Sequence, residues 1–334
     1  MLIMSVESTC DETAVALVRD GRELVTDQIF SQADLHAIYG GVVPEIASRG
    51  HIEVISQLAA RAVETAGIHK SKIDAVAVSY APGLIGAVLV GVNFAKSAAA
   101  ALGVPLIPVH HIRAHIAANY LVYPELEPPF MCMAVSGGNT LLVHVKTYTD
   151  MEIIGRTRDD AAGECFDKTA RVLGLGYPGG AKVDALARGG DDEKYALPVS
   201  EVAERPRDMS FSGLKTAVIN LVHNAEQKGE ELDRPSLCAS FQRAVSLALV
   251  PRAIAAARRR GCDKLVVAGG VAANSRIRAD FERAAREHGL TLYVPPLKLC
   301  GDNGAMVGAQ GYYELLAGNT AGSELNAYAS MDLE

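Results

Sequence analysis

The chain of 334 residues has no tryptophan, and aromatic residues make up only 5% of it. Its interior must therefore be filled by Val, Ala, Leu and Ile. Six cysteines are scattered at Cys10, Cys132, Cys165, Cys238, Cys262 and Cys300, no two of them in C-x-x-C spacing. That excludes a cysteine zinc site or a redox dithiol of the usual kind. Nowhere does a Gly-Lys pair follow a glycine at P-loop spacing, so a P-loop is excluded as well. Positive charge is in short supply: the formal net charge is -7. A protein that grips nucleic acid unaided through a broad basic face is thereby disfavoured, whereas a local basic patch or a basic partner is not. No leader pattern is read after Met1, where a strand and an acidic turn come at once, so the cytoplasm is the expected location. The uncharged run from Ala75 to Ala95 is long enough to imitate a membrane helix. Pro82-Gly83 breaks it, and strand, turn and buried helix are expected there, with no membrane association.

What is present is the composition of a soluble globular protein, 49% apolar and 21% charged, with length enough for two lobes. Leu2 to Val6 reads as a strand, followed by the polar turn Glu7 to Thr13 and a second strand, Ala14 to Val18. Asp20-Gly21 turns into a third, Leu24 to Ile29. A Gly-Pro turn, Gly40 to Pro44, feeds a helix reaching Val63. Then come strand Ile73 to Val78, helix Gly83 to Ala101 and strand Pro105 to Val109. From Phe130 the plan begins again: strand to Val135, polar turn Ser136 to Thr140, strand Leu141 to Val145, and a third strand from Glu152. This repeat of topology points to a duplicated two-lobe α/β fold. Helices are expected over Gly163 to Gly174, Lys215 to Glu226, Ser236 to Arg259, Ser275 to His288 and Ala305 to Ala317. Strands are expected at Lys264 to Ala268 and Thr291 to Val294, and a loosely held polar tail from Gly318.

His111 and His115 lie four apart at the start of an alanine-rich helical segment, which puts both imidazoles on one face. Two imidazoles so placed can share a zinc or iron ion, or can simply pack as a helix pair. The peptidase form of this motif needs Glu after the first His as general base, and Ile112 stands there instead. Asp302, before Asn303-Gly304, reads either as a helix cap or as the hard oxygen ligand of a His-His-Asp site that leaves positions open for substrate. Three glycine turns follow strands, at Ser136-Gly137-Gly138, Gly269-Gly270 and Gly301 to Gly304; at the carboxyl ends of strands such turns can hold a phosphate. None of the three has dinucleotide spacing. Asp11 and Glu12 sit on the first hairpin turn, and Asp167 on a helix is either a solvated charge or a hydroxyl-binding carboxylate. Arg258 to Arg260 read as a solvated helix end.

Taken together, Ser8 to Thr13, Gly40 to Arg49, Lys96 through His115, Val135 to Gly138, Phe166 to Thr169, Tyr177 to Gly180, Phe211 to Thr216, Gly269 to Asn274 and Gly301 to Met306 closely resemble the bacterial TsaD family, in order from about Met4 to Gly311. The resemblance implies a two-lobe fold of the actin, Hsp70 and sugar-kinase type, with duplicated mixed sheets and a ligand cleft between the lobes. The expected division is 1–109 and 110–317, with the tail 318–334 packing back on the first lobe. It implies a divalent metal, Fe2+ or Zn2+, on His111, His115 and Asp302. It implies that Ala134, Val135, Ser136, Gly137 and Gly138 line the acyl-adenylate site and that Asp167, Gly180, Asp184 and Asn274 hold its ribose and base. Asp11 and Glu12 would act near the reacting carbonyl. The implied reaction moves a threonylcarbamoyl group from L-threonylcarbamoyladenylate to N6 of adenosine 37 in tRNAs reading codons that begin with A. The implied partners are a TsaB-type paralogue and a TsaE-type ATPase, with a TsaC-type enzyme supplying the donor. The family usually has His where this chain has Asn139, which can carry no proton. The family's old description as a sialoglycoprotein peptidase fails at Ile112.

Two rival classes share the fold: an ATP-dependent small-molecule kinase and a non-catalytic nucleotide-gated scaffold. Fold alone does not choose among them. A His-His-Asp triad has no task in the kinase.

Overall fold

The computed structural model describes residues 1–199, 201–202 and 204–333. Along the chain the strands are β1 (Leu2–Glu7), β2 (Glu12–Arg19), β3 (Glu23–Ser31), β4 (Ala75–Ala81), β5 (Leu106–His110), β6 (Phe130–Val135), β7 (Thr140–Val145), β8 (Met151–Arg156), β9 (Lys264–Ala268) and β10 (Thr291–Tyr293). The helices are α1 (Ala33–Ala37), α2 (Pro44–Thr65), α3 (Ile85–Leu102), α4 (His111–Ala117), α5 (Ala162–Val172), α6 (Gly179–Leu186), α7 (Ser212–Lys228), α8 (Arg234–Arg260), α9 (Ser275–Glu287) and α10 (Gly304–Leu316).

The chain forms two compact units. The first comprises 1–128, 146–151 and 298–334; the second comprises 129–145 and 152–297. This differs from the expected division at residue 109. Helix α4 and helix α10 both pack in the first unit, because α10 covers a face of its sheet and α4 packs on α10.

The first unit's sheet runs β3-β2-β1-β4-β5, with β1 antiparallel to β2 and parallel to β4. In the second unit the order is β8-β7-β6-β9-β10, with β6 antiparallel to β7 and parallel to β9. Counted within each unit, both read third-second-first-fourth-fifth. The topological repeat seen in the sequence is thus a repeat of the sheet itself. Period-two alternation sorts the first sheet's side chains. Leu2, Met4 and Val6 meet Ile55, Val88 and Val92 from α2 and α3. On the other face Ile3, Ala16, Val18 and Ala77 meet Ala305 and Met306 from α10.

Three further expectations are corrected. Glu12 opens β2 rather than lying on the turn. Helix α3 buries only a stripe, Ala87, Val88, Gly91, Val92, Ala95 and Ala99, while Ile85 and Leu89 are exposed. It is the one helix among the described residues long and apolar enough to cross a membrane. The polar tail is tied down: Ala321 N donates to Leu106 O (2.9 Å), Lys96 Nζ to Leu325 O (3.1 Å) and Tyr328 N to Tyr80 O (3.0 Å).

Helix α10 approaches its sheet through glycines one and two turns apart. A Cβ on Gly308 would lie 2.6 Å from Val18 Cγ2 and 2.9 Å from Ser5 Oγ; one on Gly304 would lie 2.7 Å from Ala16 N. Gly308→Val is expected to cost about 2 kcal/mol or more through overpacking, read as a lowered urea midpoint. An unchanged midpoint would mean that α10 is not seated this closely.

Candidate functional site

In the first unit, three chain segments converge where β1, β4 and β5 end. Strand β1 ends in Glu7, fully buried beyond an otherwise apolar run. Strand β5 runs directly into α4. His110 caps that helix: its Nδ1 accepts from Ile112 N at 3.2 Å. One turn apart on the exposed-to-site face, the rings of His111 and His115 meet edge to face, centroids 4.5 Å apart. The third segment is the turn before α10. Here the cap is Asn303, whose side chain accepts from Met306 N at 2.8 Å. Asp302, read from sequence as either cap or ligand, is therefore released from capping. Its Oδ1 lies 3.2 Å from His115 Nε2 and 3.6 Å from His111 Nε2. Nδ1 or Nε2 of each histidine and a carboxylate oxygen of Asp302 all fall within 4.8 Å of one another.

The surroundings of this triad fix how it can be used. Glu7 Oε2 is 3.1 Å from His111 Nδ1 and takes a 2.5 Å hydrogen bond from Ser79, while Glu7 Oε1 accepts from Thr9 N at 2.7 Å. A carboxylate only accepts, so His111 Nδ1 carries the proton and Nε2 faces Asp302. This is the support usual behind a metal-ligating imidazole, whose second nitrogen donates to a carboxylate. His115 is 2% exposed, and neither of its ring nitrogens has a hydrogen-bond partner. The 3.2 Å approach of Nε2 to Asp302 Oδ1 is a charge contact. Two buried nitrogens without partners are costly, and a cation between His115, His111 and Asp302 would satisfy one of them. With none, burial pulls the His111 imidazole down, but the charges of Glu7 and Asp302 outweigh it and hold its pKa at about 9. Burial pushes Asp302 up, yet the histidines bring it down to about 2. The donor set, two imidazoles and a carboxylate, suits zinc or ferrous iron.

Asp11 and Glu12 lie at the start of β2 in the same unit. His51 of α2 holds their turn: its Nε2 is 3.0 Å from Cys10 O, and its Nδ1 is 2.7 Å from Thr13 Oγ1. Glu12 accepts from Ser31 Oγ at 2.9 Å. Burial first, then the negative charges of Asp302 and Asp11, raise its pKa to about 9.

The second unit brings together two of the three glycine turns; the third, Gly301 to Gly304, leads into α10 in the first unit. A Cβ on Gly269, at φ +91°, would lie 2.4 Å from Val135 O; one on Gly163, in the first turn of α5, would lie 2.5 Å from Ser136 O. The ends of β6 and β9 and the start of α5 thus touch backbone to backbone. Ala134 and Val135 are buried at the end of β6, Ser136 is nearly buried, and Gly137 and Gly138 are exposed with open space above them. Asn274 caps α9, accepting from Ile277 N at 3.0 Å, and its buried Nδ2 has no partner. Asp184 reaches the same helix start, accepting from Ser275 Oγ at 2.7 Å. Asp167 accepts from Gly179 N at 2.7 Å, beside Gly180, which has nothing near it. Gly174 to Gly179 has the spacing G-x-G-x-x-G, but it follows α5 rather than a strand, so it is no dinucleotide turn.

Glu7, Thr9 and Ser79 are the supporting residues that the sequence reading missed. The available signal was a lone charge ending an apolar strand.

With sign worked out, Glu12 makes a pH prediction for chelator-treated protein. A carboxyl raised from 4.5 to about 9 contributes stability that is whole below 4.5 and lost as pH rises toward 9. Glu12→Gln, which does not titrate, should therefore gain on the parent in melting temperature as pH goes from 5 to 8. A flat difference would mean that Glu12 is not held in its acid form.

Residues 23–309 match the family described as TsaD: tRNA N6-adenosine threonylcarbamoyltransferase. A protein of that name from Clostridium perfringens is 48% identical over 332 residues, covering 99% of this chain and 98% of the relative. One from Clostridium botulinum is 47% identical over 331 residues, covering 99% and 97%. Among solved structures, HypF of T. kodakarensis superposes with a TM-score of 0.62 at 17% identity, covering 97% of this chain and 49% of that one. Component A of the (R)-2-hydroxyglutaryl-CoA dehydratase of Acidaminococcus fermentans gives 0.55 at 14% identity, covering 95% and 99%. Those two likenesses are of fold, the actin-like α/β fold expected from the repeated strand plan. The match in sequence extends along nearly the whole chain, and the chain belongs to the TsaD family.

Proposed function

We propose that the protein transfers the threonylcarbamoyl group from L-threonylcarbamoyladenylate to N6 of adenosine 37 in tRNAs reading codons that begin with A, releasing AMP. The observation that carries this reading is the convergence of His111, His115 and Asp302 in a chain whose full-length relatives bear that activity in their names.

The exocyclic amine is a weak nucleophile because its lone pair is delocalised into the purine ring. The chain must therefore position it, take its proton and stabilise a departing phosphate. A zinc or ferrous ion held by His111, His115 and Asp302 would supply Lewis-acid stabilisation of a phosphate or acyl oxygen. Glu7 and Thr9 keep the His111 ring turned with Nε2 toward Asp302. In the second unit the open amides at Gly137 and Gly138, with the starts of α5 and α9, suit the adenylate phosphate. Asp167, Gly180, Asp184 and Asn274 would take its ribose and base. Asp11 is the candidate to accept the N6 proton, with Glu12 hydrogen-bonded beside it.

The negative net charge supports a protein that meets tRNA with help, from a TsaB-type paralogue and a TsaE-type ATPase, in the cytoplasm, on donor made by a TsaC-type enzyme. Reconstitution with preformed donor, unmodified tRNA and these partners tests the whole. Transfer should vanish on chelation and return with zinc or iron. His115→Ala should lose metal and rate together. Asp11→Ala should lower kcat by about 10²–10⁴-fold; a normal rate would remove it from proton transfer. Tight tRNA binding by the isolated chain at physiological salt would contradict the need for partners.

A further inference from the structure

Helix α4 has a second face. Arg113 lies two residues after His111 and two before His115, which puts it across the helix from both rings. Its guanidinium donates to three acceptors in the same unit: Thr149 O at 2.9 Å, Glu314 Oε1 at 3.2 Å and Leu333 O at 2.9 Å. Glu314 is 4% exposed and stands on α10, the helix whose first residues follow Asp302. Its carboxylate is itself fixed, accepting from Gln310 Nε2 at 2.8 Å and Asn319 Nδ2 at 2.6 Å. Helix α4, which carries His111 and His115, and helix α10, which begins two residues after Asp302, are therefore joined, on the side away from the site, by one mostly buried ion pair. The tail reinforces the joint at the next residue back. His110 Nδ1 accepts from Ile112 N, so its Nε2 carries the proton and donates to Met331 O at 3.3 Å. Leu333 is buried, and Tyr80 Oη reaches Met331 Sδ at 3.0 Å.

We infer that Arg113 is a positioning residue for the metal triad: by binding Glu314 and the carbonyl of Leu333 it sets the distance between the α4 histidines and Asp302, and so sets metal affinity. The inference rests on His111, His115 and Asp302 being the ligands. The helix itself is capped by His110 and packed by Ile112, Ala114 and Ile116, so what Arg113 adds is the tie from α4 to Glu314 and the tail. The bond to a backbone carbonyl of the tail also gives residues 331–333 a part in the site, although they supply no ligand.

The test is zinc affinity of the full chain, measured by competition with a chromophoric chelator, together with the melting temperature of the metal-free protein. Arg113→Met keeps the buried stem and removes the fork. It should weaken zinc binding by about tenfold, the low end of what losing a partner bonded directly to a ligand costs, with the metal-free protein still folded. Arg113→Lys, which keeps the charge on Glu314 but not the fork, should recover part of the loss. Folded Arg113→Met that binds zinc as tightly as the parent would overturn the inference. If Arg113→Met does not fold, a chain lacking residues 331–334 is read in the same way, weaker zinc binding supporting the inference and parental affinity refuting it. Failure of the ligand set is distinguished by the parent itself: if His111→Ala, His115→Ala and the parent bind zinc alike, the triad is not a metal site, and the inference falls with it.

Discussion

A carboxylate buried at the end of a strand decides what the imidazole above it can do. Glu7 is fully enclosed, yet it holds the charge because Ser79, Thr9 and His111 all donate to it. Taking a charge out of water is expensive unless such donors surround it. In return, the ring of His111 is fixed in rotation and in protonation, with one nitrogen committed to Glu7 and the other turned to Asp302. The same economy recurs around the site. Asn303 takes over the cap of α10, so Asp302 need not; His110 takes over the cap of α4, so His111 need not. Two of the three candidate ligands, His111 and Asp302, are thus next to a residue that satisfies the helix end in their place.

The two sheets share one topology and carry different chemistry at the same place. In the first, the end of the leading strand and the turn after it present side chains, Glu7, Thr9 and Asp11. In the second, the turn after β6 presents backbone, Ser136-Gly137-Gly138, drawn tight by Gly163 and Gly269. Side chains with lone pairs suit a cation and a proton; exposed amides suit a phosphate. The two sheets thus share a strand order and differ in what their leading turns present, carboxylates in one and amides in the other. The kinase rival, which would need an acidic magnesium pair, gives no reason for two histidines to converge with Asp302.

Much of this was legible in the chain. Apolar runs bounded by turn residues located the strands, and the turn residues located the hairpins. The four-residue spacing of His111 and His115 told which side chains share a face. The family resemblance was needed to bring in Asp302, since nothing local distinguishes a capping Asp from a ligand; the distinction lies in Asn303 having the cap. Glu7 was not legible, because its role depends on a helix more than a hundred residues away. The domain boundary was missed for the same reason: α10 belongs to the first sheet by the fit of Gly304 and Gly308 against Ala16, Val18 and Ser5, a matter of shape that no periodicity records. The looseness read from the tail's polarity was wrong, for what ties it down is mostly main-chain hydrogen bonding, whereas the resemblance had it packing on the first lobe.

The path of the chain through its two units has a consequence for synthesis on the ribosome. The first unit is opened by the earliest residues but finished by 298–334, with a short return at 146–151. While the intervening segment is being translated, Ile3, Ala16, Val18 and Ala77 lack the helix that covers them, and the two histidines lack their carboxylate. A nascent chain therefore cannot complete the triad before Asp302 has left the exit tunnel. The three residues come together only late in synthesis, and the second unit can be fully made before the first has closed.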